Sequence, residues 1–111
     1  MNLFTILKER NSDFVKICAL HKVEKIYAFG SSITNHFDFA KSDIDLIVEL
    51  AIQDPIEYGE TLLSLWNTLE SFFNRKVDLL TEESIQNPYL RKSIESTKKL
   101  IYDRQGEKVF V

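Results

Sequence analysis

The stretch SDIDLIVEL, residues 42–50, decides how this chain of 111 residues folds. In it every even position from 44 to 50 is apolar, whereas the odd positions carry Asp43, Asp45, Ile47 and Glu49. Side chains on a β-strand alternate between the two faces of a sheet, so this pattern predicts a strand with one face in the core. Asp43 and Asp45 therefore project together from the opposite face.

Helical and strand-like segments alternate on both sides of this strand. The sequence predicts helices over residues 2–20 (with a break near 11–13), 55–73 and 87–97, strands over 23–29, 76–80 and 100–102, and a loop or short helix over 31–41. Asp54 is the expected N-cap of the long helix, with Glu57 as its capping-box partner. This order predicts an α/β (α+β) fold, a small mixed β-sheet with helices packed against it, in a single domain spanning 1–111.

Composition excludes several classes of function. Seventeen acidic and fourteen basic residues leave a net charge of −3, which argues against a protein that binds nucleic acid in bulk. Cys18 is the single cysteine, so an internal disulfide and a cysteine zinc site are excluded. Neither a membrane span nor a signal-peptide core is expected, and we predict a cytoplasmic protein.

Three aspartates are candidate metal ligands and catalytic residues. Two carboxylates within about 4 Å repel by roughly 4 kcal/mol at an effective dielectric near 20, a cost that Mg²⁺ reverses. Asp78 adds a third acid in the next predicted strand, on the face away from Val77 and Leu79. If the two strands are adjacent, Asp43, Asp45 and Asp78 meet, which would suit two metal ions about 3.5–4 Å apart.

A candidate phosphate-binding turn precedes the acids. Gly30-Ser31-Ser32 follows a predicted strand and precedes a probable helix. Glycine lets the backbone approach a phosphate closely, the helix start offers free N–H donors, and the two serines add hydroxyls. A phosphate turn followed by metal-binding carboxylates is the equipment for transferring part of a nucleoside triphosphate.

These residues resemble a known family. Gly30-Ser31, eleven further residues and then Asp43-Ile44-Asp45, with Asp78 as a third acid, resemble the signature of the DNA polymerase β-like nucleotidyltransferases. The stretches YAFGSS, SDIDLIVEL, KVDLLTEESIQNPYLRKSI and LIY are most similar to the bacterial minimal nucleotidyltransferases (MNT). The similarity covers about residues 23–102.

The resemblance implies a nucleotidyltransferase fold, an activity and a partner. MNT proteins act as antitoxins of HEPN-domain toxins, and some transfer AMP from ATP to a tyrosine of the toxin. By this resemblance, Gly30 and Ser31 would hold the triphosphate, and Asp43 and Asp45 would hold two Mg²⁺ ions. Asp78 would complete one metal site and help to activate the acceptor hydroxyl.

Two other interpretations of the sequence stay open. The segment SITNH, residues 32–36, lacks the arginine and second glycine that family members commonly have there. This favours, as the alternative, a catalytically inactive module that neutralises its partner by occlusion. A small-molecule acceptor would need an extra domain, for which 111 residues leave little room. The apolar end Val109-Phe110-Val111 leaves pairing with a neighbour or a homo-oligomer open.

Overall fold

The computed structural model describes residues 3–30 and 43–105, and the backbone of residues 108–109. Its elements are α1 (Leu3–Glu9), α2 (Asn11–Leu20), β1 (Val23–Phe29), β2 (Ile44–Leu50), α3 (Pro55–Phe73), β3 (Val77–Leu80), α4 (Pro88–Thr97), β4 (Lys99–Asp103) and β5 (Lys108–Val109). A short 3-10 turn follows β3. The predicted helices and strands are therefore confirmed, but the break predicted near residues 11–13 is wrong: it lies at Arg10, and residues 11–13 begin α2. The loop or helix predicted over 31–41 lies outside the described residues.

The strands form one mixed sheet in the order β3-β2-β1-β4-β5. β2 and β3 run parallel and the other pairs are antiparallel. Parallel neighbours need a long crossover connection, which α3 supplies between β2 and β3. The predicted fold class, a small mixed sheet with packed helices, is confirmed, and β3 and β5 are the edge strands of the described sheet.

The start of α3 shows one correct and one wrong prediction. Asp54 caps the helix, because its carboxylate accepts a hydrogen bond from Glu57 N–H at 2.8 Å. The capping box is wrong, since the Glu57 carboxylate accepts from Lys22 Nζ at 2.7 Å instead of turning back to the cap. Glu57 therefore links the start of α3 to the turn between α2 and β1.

The main hydrophobic core lies between one face of the sheet and the helices α1, α2 and α3. The even positions of β2 face it, as the alternation predicts: Ile44, Leu46, Val48 and Leu50 are all buried. The ring of Phe14 packs against Phe72, Phe73 and Tyr102 at centroid distances of 5.7, 6.3 and 6.4 Å. Cys18 is fully buried here, and burial raises the pKa of its thiol.

The second face of the sheet carries a smaller cluster under α4. It consists of Phe29, Ile47, Ile85 and Ile94, with Tyr27 and Leu80 against it. Ile47 lies on the same face of β2 as Asp45, two residues further along the strand. The cluster therefore covers the middle of this second face. The acids lie beyond the cluster, at the start of β2 and β3.

The end of the chain returns to its own sheet. β5 pairs antiparallel with β4, so that Val109 lies opposite Tyr102. Phe110 and Val111 lie outside the described residues, so the pairing predicted for residues 109–111 and a homo-oligomer both stay predictions. No helix in the described part of the chain combines the length and apolar character that crossing a membrane requires.

Candidate functional site

Two of the predicted site acids lie directly opposite each other on neighbouring strands. In the parallel pairing of β2 with β3, Asp45 is in register with Asp78. Residues in register on adjacent strands point to the same face. Asp43 is two residues before Asp45 and so shares that face. The structure therefore places Asp45 and Asp78 side by side, with Asp43 close enough for its charge to act on Asp45.

Electrostatics confirm that these carboxylates are close. The pKa of Asp45 is raised from 3.8 to about 6, mainly by burial and in addition by the nearby charges of Asp78 and Asp43. Asp45 is half-buried, whereas Asp43 and Asp78 are exposed. Negative charge is thus concentrated around Asp45. Since Asp43 and Asp78 are exposed, this charge is accessible to solvent and to a substrate.

Gly30 lies against this acid cluster. It follows β1, and Phe29 just before it pairs with Asp45 of β2. Gly30 has φ +66°, and a Cβ built on it would lie 2.9 Å from Asp45 Oδ2. A side chain here would be strained and would also displace the carboxylate. The sequence predicts a glycine for close approach to phosphate; the structure shows that its first close neighbour is Asp45.

Thr97 is a residue of this region that the sequence analysis did not single out. The Gly30 N–H donates to Thr97 Oγ1 at 3.2 Å, and that hydroxyl donates to Ser93 O at 2.8 Å. The last turn of α4 therefore holds the turn after β1. The Gly30 N–H is thus already paired within the chain.

We expect Thr97→Val to loosen this turn. Valine has nearly the shape of threonine but lacks the hydroxyl, so the Gly30 N–H loses its acceptor, at a cost of about 1 kcal/mol of unfolding free energy. Urea denaturation measures this loss. Thr97→Ser keeps the hydroxyl and should stay close to wild type. Equal stability of the valine and serine variants would contradict the role of the bond.

Not every predicted site residue can be placed. Ser31 and Ser32 lie outside the described residues. Within ranges 3–30 and 43–105, no three His, Cys, Asp or Glu side chains are grouped as a metal site. The donor set nevertheless suits magnesium, which takes one or two carboxylates and completes its shell with water and substrate phosphates. Asp45 and Asp78 are such a pair of carboxylates, in register beside a glycine without a side chain.

Comparison with known proteins identifies the family. The family model described as Polymerase beta, Nucleotidyltransferase matches residues 12–107. The chain belongs to this family. The predicted resemblance and the prediction of an enzyme are thereby confirmed: this is a nucleotidyltransferase domain.

This nucleotidyltransferase is similar in sequence to named proteins and similar in fold to solved structures. A protein of Methanocaldococcus jannaschii named "Putative protein adenylyltransferase" is 42% identical over 82 residues, which are 74% of this chain and 78% of the relative. A solved structure titled a toxin-antitoxin with AMP-PNP is 26% identical with a TM-score of 0.55, and covers 86% of this chain and 76% of its own. A structure titled a minimal nucleotidyltransferase, named there as putative, has a TM-score of 0.58 at 25% identity and covers 89% and 95%.

Proposed function

We propose that this nucleotidyltransferase transfers AMP from ATP to a hydroxyl group of a HEPN-domain toxin, and so acts as the antitoxin of the pair. The observation that carries the proposal is the register of Asp45 with Asp78, with Gly30 packed on the Asp45 carboxylate. An acid pair beside Gly30 can hold the cation that accompanies a triphosphate. The adenylyltransferase name of the M. jannaschii relative and the AMP-PNP of the toxin-antitoxin structure support ATP as the donor.

The proposed reaction exchanges one bond of ATP for a new bond to the acceptor, and residues of this chain can be given roles in it. The acceptor hydroxyl oxygen attacks the α-phosphorus of ATP, the bond from that phosphorus to the oxygen bridging to the β-phosphate breaks, and pyrophosphate leaves. Asp78 accepts the hydroxyl proton. It is exposed on the edge strand, where a hydroxyl on another protein can reach it. Gly30, which has no side chain, lets the Asp45 carboxylate lie within 2.9 Å of where a Cβ would be.

Asp43, Asp45 and Asp78 would hold Mg²⁺, and two ions are proposed. When bound, the ions would neutralise the charge that develops on the phosphates and the leaving group. Without the ions, the negative charges of the three acids would oppose binding of the triphosphate. After burial, the charges of Asp78 and Asp43 already contribute to the raised pKa of Asp45. The arrangement therefore favours substrate only together with its cations.

The partner follows from the family and from the shape of the chain. The resemblance to MNT proteins implies a HEPN-domain partner, and the toxin-antitoxin structure shares the fold of this chain. Asp78 faces outward at the sheet edge, which suits an acceptor on a second protein more than a small molecule held within one domain. Action in the cytoplasm belongs to the same proposal.

Transfer of label tests the proposal directly. Purified chain is incubated with α-labelled ATP, Mg²⁺ and a HEPN-domain partner, and the partner is expected to gain the mass of one or more AMP groups. Asp43→Ala and Asp45→Ala should abolish transfer. Glu49→Gln is the matched control, because Glu49 is exposed on the same face of β2 but four residues from Asp45. No transfer by wild type, or equal transfer by the alanine variants, would refute the proposal.

The alternative is neutralisation by occlusion alone. It is favoured by the segment 32–36, which lacks the family's arginine, a bidentate phosphate partner that threonine and asparagine do not replace. Protection of cells that produce the toxin, compared between wild type and Asp45→Ala, separates the two functions. If Asp45→Ala still protects cells from the toxin as well as wild type does, occlusion explains the antitoxin effect.

A further inference from the structure

The edge strand β3 is held by two side chains of α3. Trp66 Nε1–H donates to Val77 O at 2.7 Å, and Glu70 Oε2 accepts from Val77 N–H at 3.0 Å. Trp66 and Glu70 are four residues apart and so lie on the same side of the helix. Together they pair both backbone groups of one residue, as a further strand would. We refer to Trp66 and Glu70 as the β3 clamp.

The clamp lies on the side of β3 that β2 does not cover. On the inner side, Lys76 O accepts from Ile44 N–H of β2 at 3.1 Å. Successive residues of a strand turn their backbone groups to opposite sides, so those of Val77 point outward and those of Asp78 inward. A strand of four residues makes few hydrogen bonds to its single neighbour β2. The clamp adds hydrogen bonds on the other side, so β3 is held from both sides.

This arrangement fixes the direction of the Asp78 side chain. Val77 is fully buried and its side chain points into the main core, whereas the exposed Asp78 points to the opposite face next to Asp45. If Val77 turned about the strand axis, Asp78 would turn away from Asp45. The clamp prevents that turn, because it would leave two buried backbone groups without partners, at about 1–3 kcal/mol each.

We propose that Trp66 and Glu70 are positioning residues, which hold the Asp78 carboxylate at the place where it binds the cation with Asp45. They touch neither substrate nor cation and act through the backbone of Val77. The inference rests on the proposed function for the identity of the cation. Groups behind the ligands of a metal typically change its affinity 10–100-fold when they are lost.

Binding of Mn²⁺ alone, followed by electron paramagnetic resonance without ATP or partner, tests the clamp. Trp66→Phe and Glu70→Ala each remove one bond and should weaken Mn²⁺ binding about tenfold. Glu70→Gln keeps an oxygen that can accept from Val77 N–H, and should restore most of the affinity. Asn67→Ala, an exposed position on the same helix, is the control and should bind as wild type does. Equal affinity of all variants, or no recovery in Glu70→Gln, would overturn the proposal.

Two further measurements separate positioning from general destabilisation. In the background of Asp78→Ala, Glu70→Ala should cause no additional loss of Mn²⁺ affinity, since the clamp acts through Asp78; a further tenfold loss would overturn it. Amide hydrogen exchange at β3, measured without metal, should be about tenfold faster in Trp66→Phe and Glu70→Ala, and unchanged exchange would overturn it. Neither readout depends on AMP transfer. A wild type that transfers no AMP would therefore refute the proposed function, while Mn²⁺ binding and amide exchange would still test the role of the clamp.

Discussion

Replacing Asp45 by asparagine should abolish AMP transfer and at the same time make the protein more stable. Loss of a central carboxylate removes several kcal/mol of charge stabilisation, so transfer should fall at least about a thousandfold. The folded state, in contrast, gains. Burial and the charges of Asp78 and Asp43 disfavour the ionised Asp45 carboxylate, which asparagine replaces at almost the same size. For a half-exposed group we expect about 1 kcal/mol of added unfolding free energy near neutral pH.

The stability gain has a defined dependence on pH. In the folded protein the pKa of Asp45 is about 6, above the 3.8 of an ordinary aspartate. Between these values the folded state binds more protons than the unfolded one, so wild-type stability falls as pH rises. The difference between Asp45→Asn and wild type should therefore be absent below about pH 4, grow up to about pH 6 and stay constant above it.

Thermal denaturation without metal, at a series of pH values, measures this difference. Glu49→Gln is again the control, because it removes a charge from the same face of β2 and should show no such rise between pH 4 and 6. An Asp45→Asn variant that is less stable than wild type at neutral pH would contradict the account of a strained acid cluster. So would a variant that retains transfer.

Gly30→Ala should damage both stability and activity. The residue has φ +66°, and its new Cβ would meet Asp45 Oδ2 at 2.9 Å. A left-handed backbone costs a residue with a side chain about 1–2 kcal/mol. The new Cβ would also push the Asp45 carboxylate away from its place beside Asp78. We expect a loss of about 2 kcal/mol of unfolding free energy and about a hundredfold loss of AMP transfer, since small misplacements at a reacting centre have effects of that size.

Gly59 provides the matched control for this substitution. It lies within α3, and a Cβ there has no described neighbour within 4 Å. Alanine is the better helix former by about 1 kcal/mol, so Gly59→Ala should stabilise the protein and leave transfer unchanged. The two glycine variants should thus move stability in opposite directions. A Gly30→Ala protein that is as stable and active as wild type would contradict the close packing of Gly30 on Asp45.

Local features of the fold could be predicted from the sequence because each depends on neighbouring residues. The alternation in β2 placed Ile44, Leu46, Val48 and Leu50 in the core. The Asn87-Pro88 pair predicted the start of α4, and Asn87 Oδ1 accepts from the N–H groups of Tyr89 and Leu90. The acids were predicted to meet only if β2 and β3 are neighbours, and their observed pairing supplies that condition.

Other features depend on contacts between distant parts of the chain, which no local pattern encodes. Gly30 and Thr97 are 67 residues apart, so the bond between them follows only once α4 has packed on the second face. The same holds for that face as a whole, where Ile94 joins Ile47 and Phe29. Glu57 looked like a capping residue because of its spacing from Asp54, but Lys22, 35 residues away, takes its carboxylate.

The β3 clamp also has a practical consequence. Trp66 is the only tryptophan of the chain, and its indole N–H is bonded to the residue next to Asp78. Its fluorescence therefore originates from a single, known place, one peptide unit from the third acid. The chain therefore carries its own optical reporter at the edge of the sheet where Asp78 lies, and cation or nucleotide titrations can be followed by emission without any added label.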